Sequence, residues 1–196
     1  MTYDLVVIGA SWGGLTAVRQ ILTALPADTD AAVVVAQHRR SDTPGGGLAE
    51  LLAVRAHLPV VDADDKQPIE PGKVYLAPPD YHLLIQPGWF SLSTEAHVHF
   101  ARPSIDVLFE TAADAYRDRA IGVILTGANE DGAAGLHRIK QRGGVAVVQD
   151  PRTAERREMP DSALAATDAD AVLTLEEIGP FLYGLVCPPS RPGVRA

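Results

Sequence analysis

The sequence predicts an α/β protein: a three-layer, doubly wound, mostly parallel sheet with one antiparallel hairpin and helices on both faces. Three observations predict it. Short apolar runs rich in β-branched residues recur along the chain, as in strands buried on both faces. Between most of them lie stretches with apolar residues at helical spacing. One pair of runs, residues 81–86 and 89–93, is separated only by Pro87-Gly88, which leaves room for a turn and no helix. That pair implies antiparallel strands, so the sheet is expected to be mixed.

Each element follows from its residues. Val6-Val7-Ile8 is the first strand and breaks at Gly9. Leu15, Val18, Ile21 and Leu22 then mark a helix, closed by Pro26-Ala27-Asp28. Residues 31–36 (Ala-Ala-Val-Val-Val-Ala) form a second strand ending at Gln37-His38-Arg39-Arg40. A glycine-rich loop from Thr43 to Gly47 leads to a helix over residues 48–55, with Leu48, Leu51 and Leu52 on one face. Val60-Val61 is a short strand. A polar stretch precedes a strand over 73–77, closed by Pro78-Pro79-Asp80. The hairpin comes next. Pro103-Ser104 enters a helix whose apolar face is Ile105, Leu108, Phe109, Ala112, Ala113 and Tyr116. A strand over 120–125, a helix over 133–142 and a strand over 144–149 continue the alternation. A helix over 161–167, a strand over 171–173 and a helix over 176–186 complete it. Residues 1–187 are expected to form a single domain, and the Pro-rich tail, 188–196, to be disordered.

Composition narrows the function. The chain has 196 residues, 46% hydrophobic and 21% charged, the profile of one globular domain with a sizeable core. No run of about 18 apolar residues offers a membrane span, so no membrane insertion is expected. Met1-Thr2-Tyr3-Asp4 lacks the basic start of a signal peptide. The single cysteine, Cys187, cannot form an internal disulfide and fits a reducing cytoplasm. A net charge of −8 argues against nucleic acid as a partner.

Open parallel sheets carry their sites at the carboxyl ends of the strands. Three polar groups fall there: Ser11, His38, and Asn129-Glu130-Asp131. Gly9-Ala10-Ser11-Trp12-Gly13 spells G-x-S-x-G, the pattern of a nucleophile on a sharp strand-to-helix turn. The amides that follow, at Trp12 and Gly13, open a helix and can hold the oxyanion of an acyl intermediate. A dinucleotide turn would need glycine where Ser11 stands and an acid where Gln37-His38 stands. A phosphate loop would need Gly-Lys-Ser/Thr, which is missing. Serine needs a base, and the base an acid to hold its tautomer. The parts allow a triad, but their order here is Ser, His, Asp, whereas α/β-hydrolases run Ser, Asp/Glu, His.

The remaining candidates have plainer readings. His57 and His137 are placed on helix surfaces. His97 and His99 alternate on one face but lack a third metal ligand nearby. His82 is the second candidate base, with a backbone-bonding structural role as its alternative. Asp106 and Asp150 are the runner-up acids, and Asp106 is equally placed to cap its helix.

Taken together, the residues resemble the chemotaxis receptor methylesterases (protein-glutamate methylesterases). The likeness lies in Ile8-Gly9-Ala10-Ser11-x-Gly13-Gly14, Gln37-His38, Tyr75-Leu76-Ala77-Pro78-Pro79-Asp80-Tyr81-His82-Leu83-Leu84 and Arg102-Pro103-Ser104-Ile105-Asp106-Val107-Leu108-Phe109. It continues in Leu125-Thr126-Gly127, Asp131-Gly132-Ala133-Ala134-Gly135, Gln149-Asp150-Pro151 and Met159-Pro160-x-Ser162-Ala163. The blocks run from about residue 5 to about 186 in one order.

The resemblance implies Ser11 as nucleophile, His38 as base and Asp131 as orienting acid, with no metal or cofactor. It implies hydrolysis of γ-glutamyl methyl esters on the cytoplasmic helices of methyl-accepting chemotaxis receptors, with glutamine deamidation at the same sites in some members. The alternatives are a catalytically weak receptor-binding module, or an esterase for another protein or a small ester. Three departures from the family pattern stand out. Many members carry a phospho-receiver domain ahead of the catalytic one. This sequence opens on its first strand, so a stand-alone catalytic domain is expected, open at all times or controlled by a separate regulatory protein. Trp12 replaces a small residue after the serine, as an obstacle or an aromatic wall. Ala128-Asn129-Glu130 and Arg39-Arg40 replace Met-Gly-Asn and Met-Pro. The substrate groove is therefore assigned to Trp12, Gly13, Arg39 and Ala128, with Arg39 and Arg40 expected to attract an acidic helix.

Overall fold

The computed structural model describes residues 3–38 and 47–187. Arg39, Arg40, the glycine-rich loop as far as residue 46 and the tail lie outside the described residues. Seven strands form one sheet: β1 (Leu5–Ala10), β2 (Ala32–Gln37), β3 (Val60–Asp62), β4 (Val74–Leu76), β7 (Ala120–Ile124), β8 (Val145–Gln149) and β9 (Ala171–Leu173). Their order is β3-β4-β2-β1-β7-β8-β9, and every pairing is parallel. The strand order reverses at β1, whose neighbours are β2 and β7. The site candidates follow these central strands, where a doubly wound sheet opens a crevice.

The hairpin, β5 (His82–Gln86) and β6 (Trp89–Ser93), is antiparallel as the short Pro-Gly connection requires. It is a sheet of its own and not an edge of the main one, so the large sheet is purely parallel. Packing accounts for this: Phe90 of β6 meets Tyr75 of β4 edge to face, with ring centroids 4.8 Å apart. The hairpin therefore lies across one face of the sheet and helps to cover it.

Alternation along β1 divides the core. Leu5 and Val7 point to the face covered by the hairpin, α3 (Ile105–Tyr116), α4 (Ala133–Gln141) and α5 (Glu158–Ala166). Val6, Ile8 and Ala10 point to the face covered by α1 (Gly14–Ala24), α2 (Gly47–Ala53) and α6 (Leu175–Val186). Burial on both faces is why these strands read as unbroken apolar runs. Two helices differ from expectation. In α2, Leu48 and Leu52 are buried but Leu51 faces solvent. A seven-residue helix covers the sheet with a narrower stripe than its three leucines suggest. Helix α5 begins at Glu158, three residues earlier than the sequence pattern, with Pro160 in its first turn where no N–H is required. No helix among the described residues is long and apolar enough to cross a membrane.

Candidate active site

Ser11 and His38 are brought side by side by strand register. Ala10 pairs with Gln37 across β1 and β2, and each candidate is the next residue on its strand. The His38 N–H donates to Ala10 O at 3.0 Å, and the Ser11 N–H to Thr126 O at 3.0 Å. Gln37 Nε2 donates to Ser11 O at 2.7 Å and to His38 O at 3.0 Å, tying the two loop tips together. The chain then turns sharply. Gly13 has φ 77°, a left-handed conformation that disfavours a side chain, and it caps α1. Among the described residues, the Trp12 and Gly13 amides donate to no acceptor, leaving two N–H groups free at a helix start.

Asp131 joins the pair from the loop after β7. Its Oδ2 lies 2.7 Å from His38 Nε2. The same carboxylate accepts three more hydrogen bonds: Ser104 Oγ at 2.8 Å, Ile105 N at 2.7 Å and Asp106 N at 3.0 Å. Two of these donors are the first amides of α3, which would otherwise lack partners. Asp131 is fully buried. Burial alone would raise its pKa, but the His38 bond, the Asp106 and Ile105 amides and the His38 charge together hold it below the usual carboxylate range. An ionised carboxylate can only accept, so Nε2 of His38 carries a hydrogen toward Asp131, and in the neutral ring Nδ1 is the nitrogen left to take a proton. In the Ser-His-Asp arrangement of serine proteases the two nitrogens have the opposite roles. No hydrogen bond joins Ser11 Oγ to the His38 ring here; catalytic contacts of this kind often close only with substrate bound.

The other candidates are accounted for by different contacts. His82 is buried, accepts the Ser104 N–H at Nδ1 (3.2 Å) and donates from Nε2 to Ala96 O (3.0 Å). Both nitrogens are occupied, so it positions the start of α3 and is not a free base. Asp106 does not cap its own helix; its Oδ1 accepts the Gly135 N–H at 2.7 Å, in the first turn of α4. Burial pushes its pKa up to about 6, against the Gly135 bond, with the Asp131 charge adding to the rise. Asp150 is held below the usual range by its bond to Arg152 and serves its own loop. His57 lies in an exposed bend after α2, not on a helix, while His137 is on the exposed face of α4. His99 does not work with His97: it sits at φ 47° and faces Asp106 Oδ2 (3.4 Å) and Glu130 Oε1 (3.3 Å). His99, Asp106 and Asp131 offer ligand atoms within 4.8 Å of one another. Four donors already occupy Asp131, however, so this grouping presents a cation with two available ligands.

Of the expected groove, Trp12 and Ala128 are exposed beside Ser11 and Asp131, while Arg39 lies outside the described residues. Sequence reasoning placed Ser104 at a helix entry without seeing that its hydroxyl also serves Asp131. It passed over Glu155 and Arg156, which reach Trp12 from the loop after β8. No local pattern marks them, since the contact spans 143 positions.

Fold and site are those of a doubly wound α/β protein with serine, histidine and aspartate at the carboxyl edge of a parallel sheet. The family model described as CheB methylesterase matches residues 6–182, and the chain belongs to that family. It is 51% identical over 188 residues to a Leptospira interrogans protein provisionally named protein-glutamate methylesterase/protein-glutamine glutaminase, covering 94% of this chain and 96% of that one. It is 41% identical over 179 residues to a Pseudomonas aeruginosa protein named protein-glutamate methylesterase/protein-glutamine glutaminase 3, covering 91% of this chain and 53% of the relative. The Thermotoga maritima CheB methylesterase catalytic domain superposes with a TM-score of 0.88 at 35% identity, covering 95% of this chain and 100% of that domain.

Proposed function

We propose that this chain is a serine hydrolase that demethylates γ-glutamyl methyl esters on the cytoplasmic helices of chemotaxis receptors, acting in the cytoplasm and also able to deamidate glutamine. Ser11 is the nucleophile, His38 the base and Asp131 the orienting acid. The observation that carries this reading is the 2.7 Å bond to buried Asp131, itself accepting three further bonds, from Nε2 of His38, which like Ser11 stands one residue beyond the paired ends of β1 and β2.

The cycle follows from that geometry. Ser11 Oγ forms a bond to the ester carbonyl carbon as its proton passes to His38 Nδ1. The carbonyl oxygen becomes an oxyanion facing the Trp12 and Gly13 amides. The C–O bond to methoxide then breaks, His38 returns the proton, and methanol leaves an acyl-enzyme. Water attacks the acyl carbon, giving its proton to His38, which passes it to Ser11 Oγ as glutamate departs. Glutamine follows the same path with ammonia leaving, and no metal or cofactor takes part.

Methanol release from methylated receptor membranes tests the reading. Ser11→Ala should lower the rate by several orders of magnitude, since loss of one triad member removes most of the advantage of all three. Unchanged release by that variant refutes the assignment. A receptor-binding module without turnover would bind the membranes but leave Ser11 unlabelled by a fluorophosphonate. An esterase for other substrates would label but release no methanol from receptor.

A further inference from the structure

The loop between β8 and α5 builds a lip beside Ser11. Trp12 is 58% exposed, yet its ring is held from two sides. Indole Nε1 donates to Glu155 Oε1 at 2.8 Å, and the Arg156 guanidinium carbon lies 5.5 Å from the ring centroid. That distance is within cation–π range. The lip is also fastened through the backbone. The Thr126 hydroxyl has Trp12 O (2.9 Å) and Arg156 O (3.2 Å) as alternative acceptors for its one proton and accepts the Arg156 N–H at 2.9 Å. The Gly127 N–H donates to Arg156 O at 3.1 Å. Thr126 O in turn holds the Ser11 amide, so the lip and the serine turn share one support.

Arg156 differs from its neighbours in the same loop. Arg152 pairs with Asp150 at 2.5 Å and Arg157 with Asp161 at 2.6 Å. No carboxylate among the described residues lies within ion-pair distance of Arg156, whose side chain has the Trp12 indole as its partner. On a chain of net charge −8, an acidic ligand is repelled unless a local cation receives it. An aromatic ring already fixed in place loses little conformational entropy on binding. A guanidinium without an acid keeps its charge-assisted hydrogen bonds for a ligand.

We propose that Trp12 and Arg156 bind an acidic stretch of the protein substrate next to the ester, the guanidinium pairing with a carboxylate and the indole packing on the adjoining aliphatic stems. The proposal rests on the methylesterase reading above, which makes Ser11 the reacting centre.

The test uses two helical peptides of about 20 residues, long enough to hold some helix. Each carries one central γ-methyl glutamate. Glutamates flank it one turn away in the first peptide and glutamines in the second. The wild-type chain should favour the acidic peptide by about tenfold, a difference of about 1.4 kcal/mol, mainly through KM. Arg156→Ala should bring that ratio close to one, Arg156→Lys should recover part of it, and added salt should compress it in the wild type. Equal losses on both peptides, or no wild-type preference, overturn the proposal. Methanol from neither peptide would overturn the methylesterase reading instead. Anisotropy of the labelled acidic product peptide then decides the lip: a Kd about tenfold weaker for Arg156→Ala supports it, and an unchanged Kd rejects it.

Discussion

Asp131 and Asp106 lie at nearly the same depth, with 0% and 5% of their surface exposed, and their environments push them in opposite directions. Asp131 is held below the usual carboxylate range and Asp106 is raised to about 6. Burial raises both. The difference is the number of donors: Asp131 accepts four hydrogen bonds, and Asp106 accepts one short backbone bond with His99 at 3.4 Å. Depth alone therefore does not decide ionisation; the supply of N–H and O–H groups does. One aspartate is kept charged to serve an imidazole. The other closes a helix start from the far side and pays for its depth when it ionises.

Three substitutions sharpen this contrast. The largest effect is expected from Asp131→Asn. The amide keeps the shape but can offer its NH2 to His38 Nε2, which would turn the ring to the wrong tautomer. A fall in kcat of about 10^4 is expected for such a change, read as methanol release with folding checked by circular dichroism. A fall of less than tenfold would mean that Asp131 is structural and that the contrast has no catalytic meaning.

Asp106→Asn comes next and is read in stability. A carboxyl raised from 3.8 to about 6 binds its proton more tightly in the folded state. Its contribution is present below the unfolded pKa and is lost as pH rises through the folded value, between about 4 and 6. Asparagine keeps an oxygen for Gly135 and carries no charge. The variant should gain about 1–3 kcal/mol over wild type at pH 8, relative to the difference at pH 4, in urea melts. Asp131 and Glu110 add to the rise while His99 opposes it by favouring the ionised form, so the gain should grow if His99 is removed as well. A pH-independent difference would show that Asp106 does not titrate in this window.

The smallest effect is expected from Ser104→Ala. It removes one donor from Asp131 and the 3.4 Å bond to the Val107 N–H. A loss of about 1–2 kcal/mol follows from the missing cap and donor. Asp131 has a depressed pKa, so its contribution is present above the unfolded value and lost as pH falls through the folded one. Losing a donor lifts the folded value, and acid unfolding should move to higher pH. An unchanged acid limb would show that the other donors suffice.

Much of this was legible in the residues. Unbroken β-branched runs separated by helical spacing can only pack as strands covered on both faces, and such sheets hold their polar residues at strand ends. Ser11, His38 and the segment Asn129-Glu130-Asp131 stand out that way, because each ends or closely follows an apolar run, and the family resemblance singles out Asp131 within that segment. The separate placement of the hairpin was not legible, since Tyr75 and Phe90 meet only once both strands are laid down. His82 shows a second kind of limit. A histidine near a strand end looks like a base until its two nitrogens are seen bonded to Ala96 and Ser104.

The sequence by itself determined the order of strands and helices, the sharp turn at Ser11 and the three strand-end segments that hold Ser11, His38 and Asp131. These depend on local properties: side-chain branching, the missing β-carbon of glycine and the periodicity of apolar residues. Tertiary structure alone decided which histidine nitrogen faces Asp131, which amides keep that carboxylate charged, and that Arg156 reaches Trp12. Those outcomes depend on distances of a few ångströms between segments far apart in the chain, and only the packed sheet and its helices set such distances.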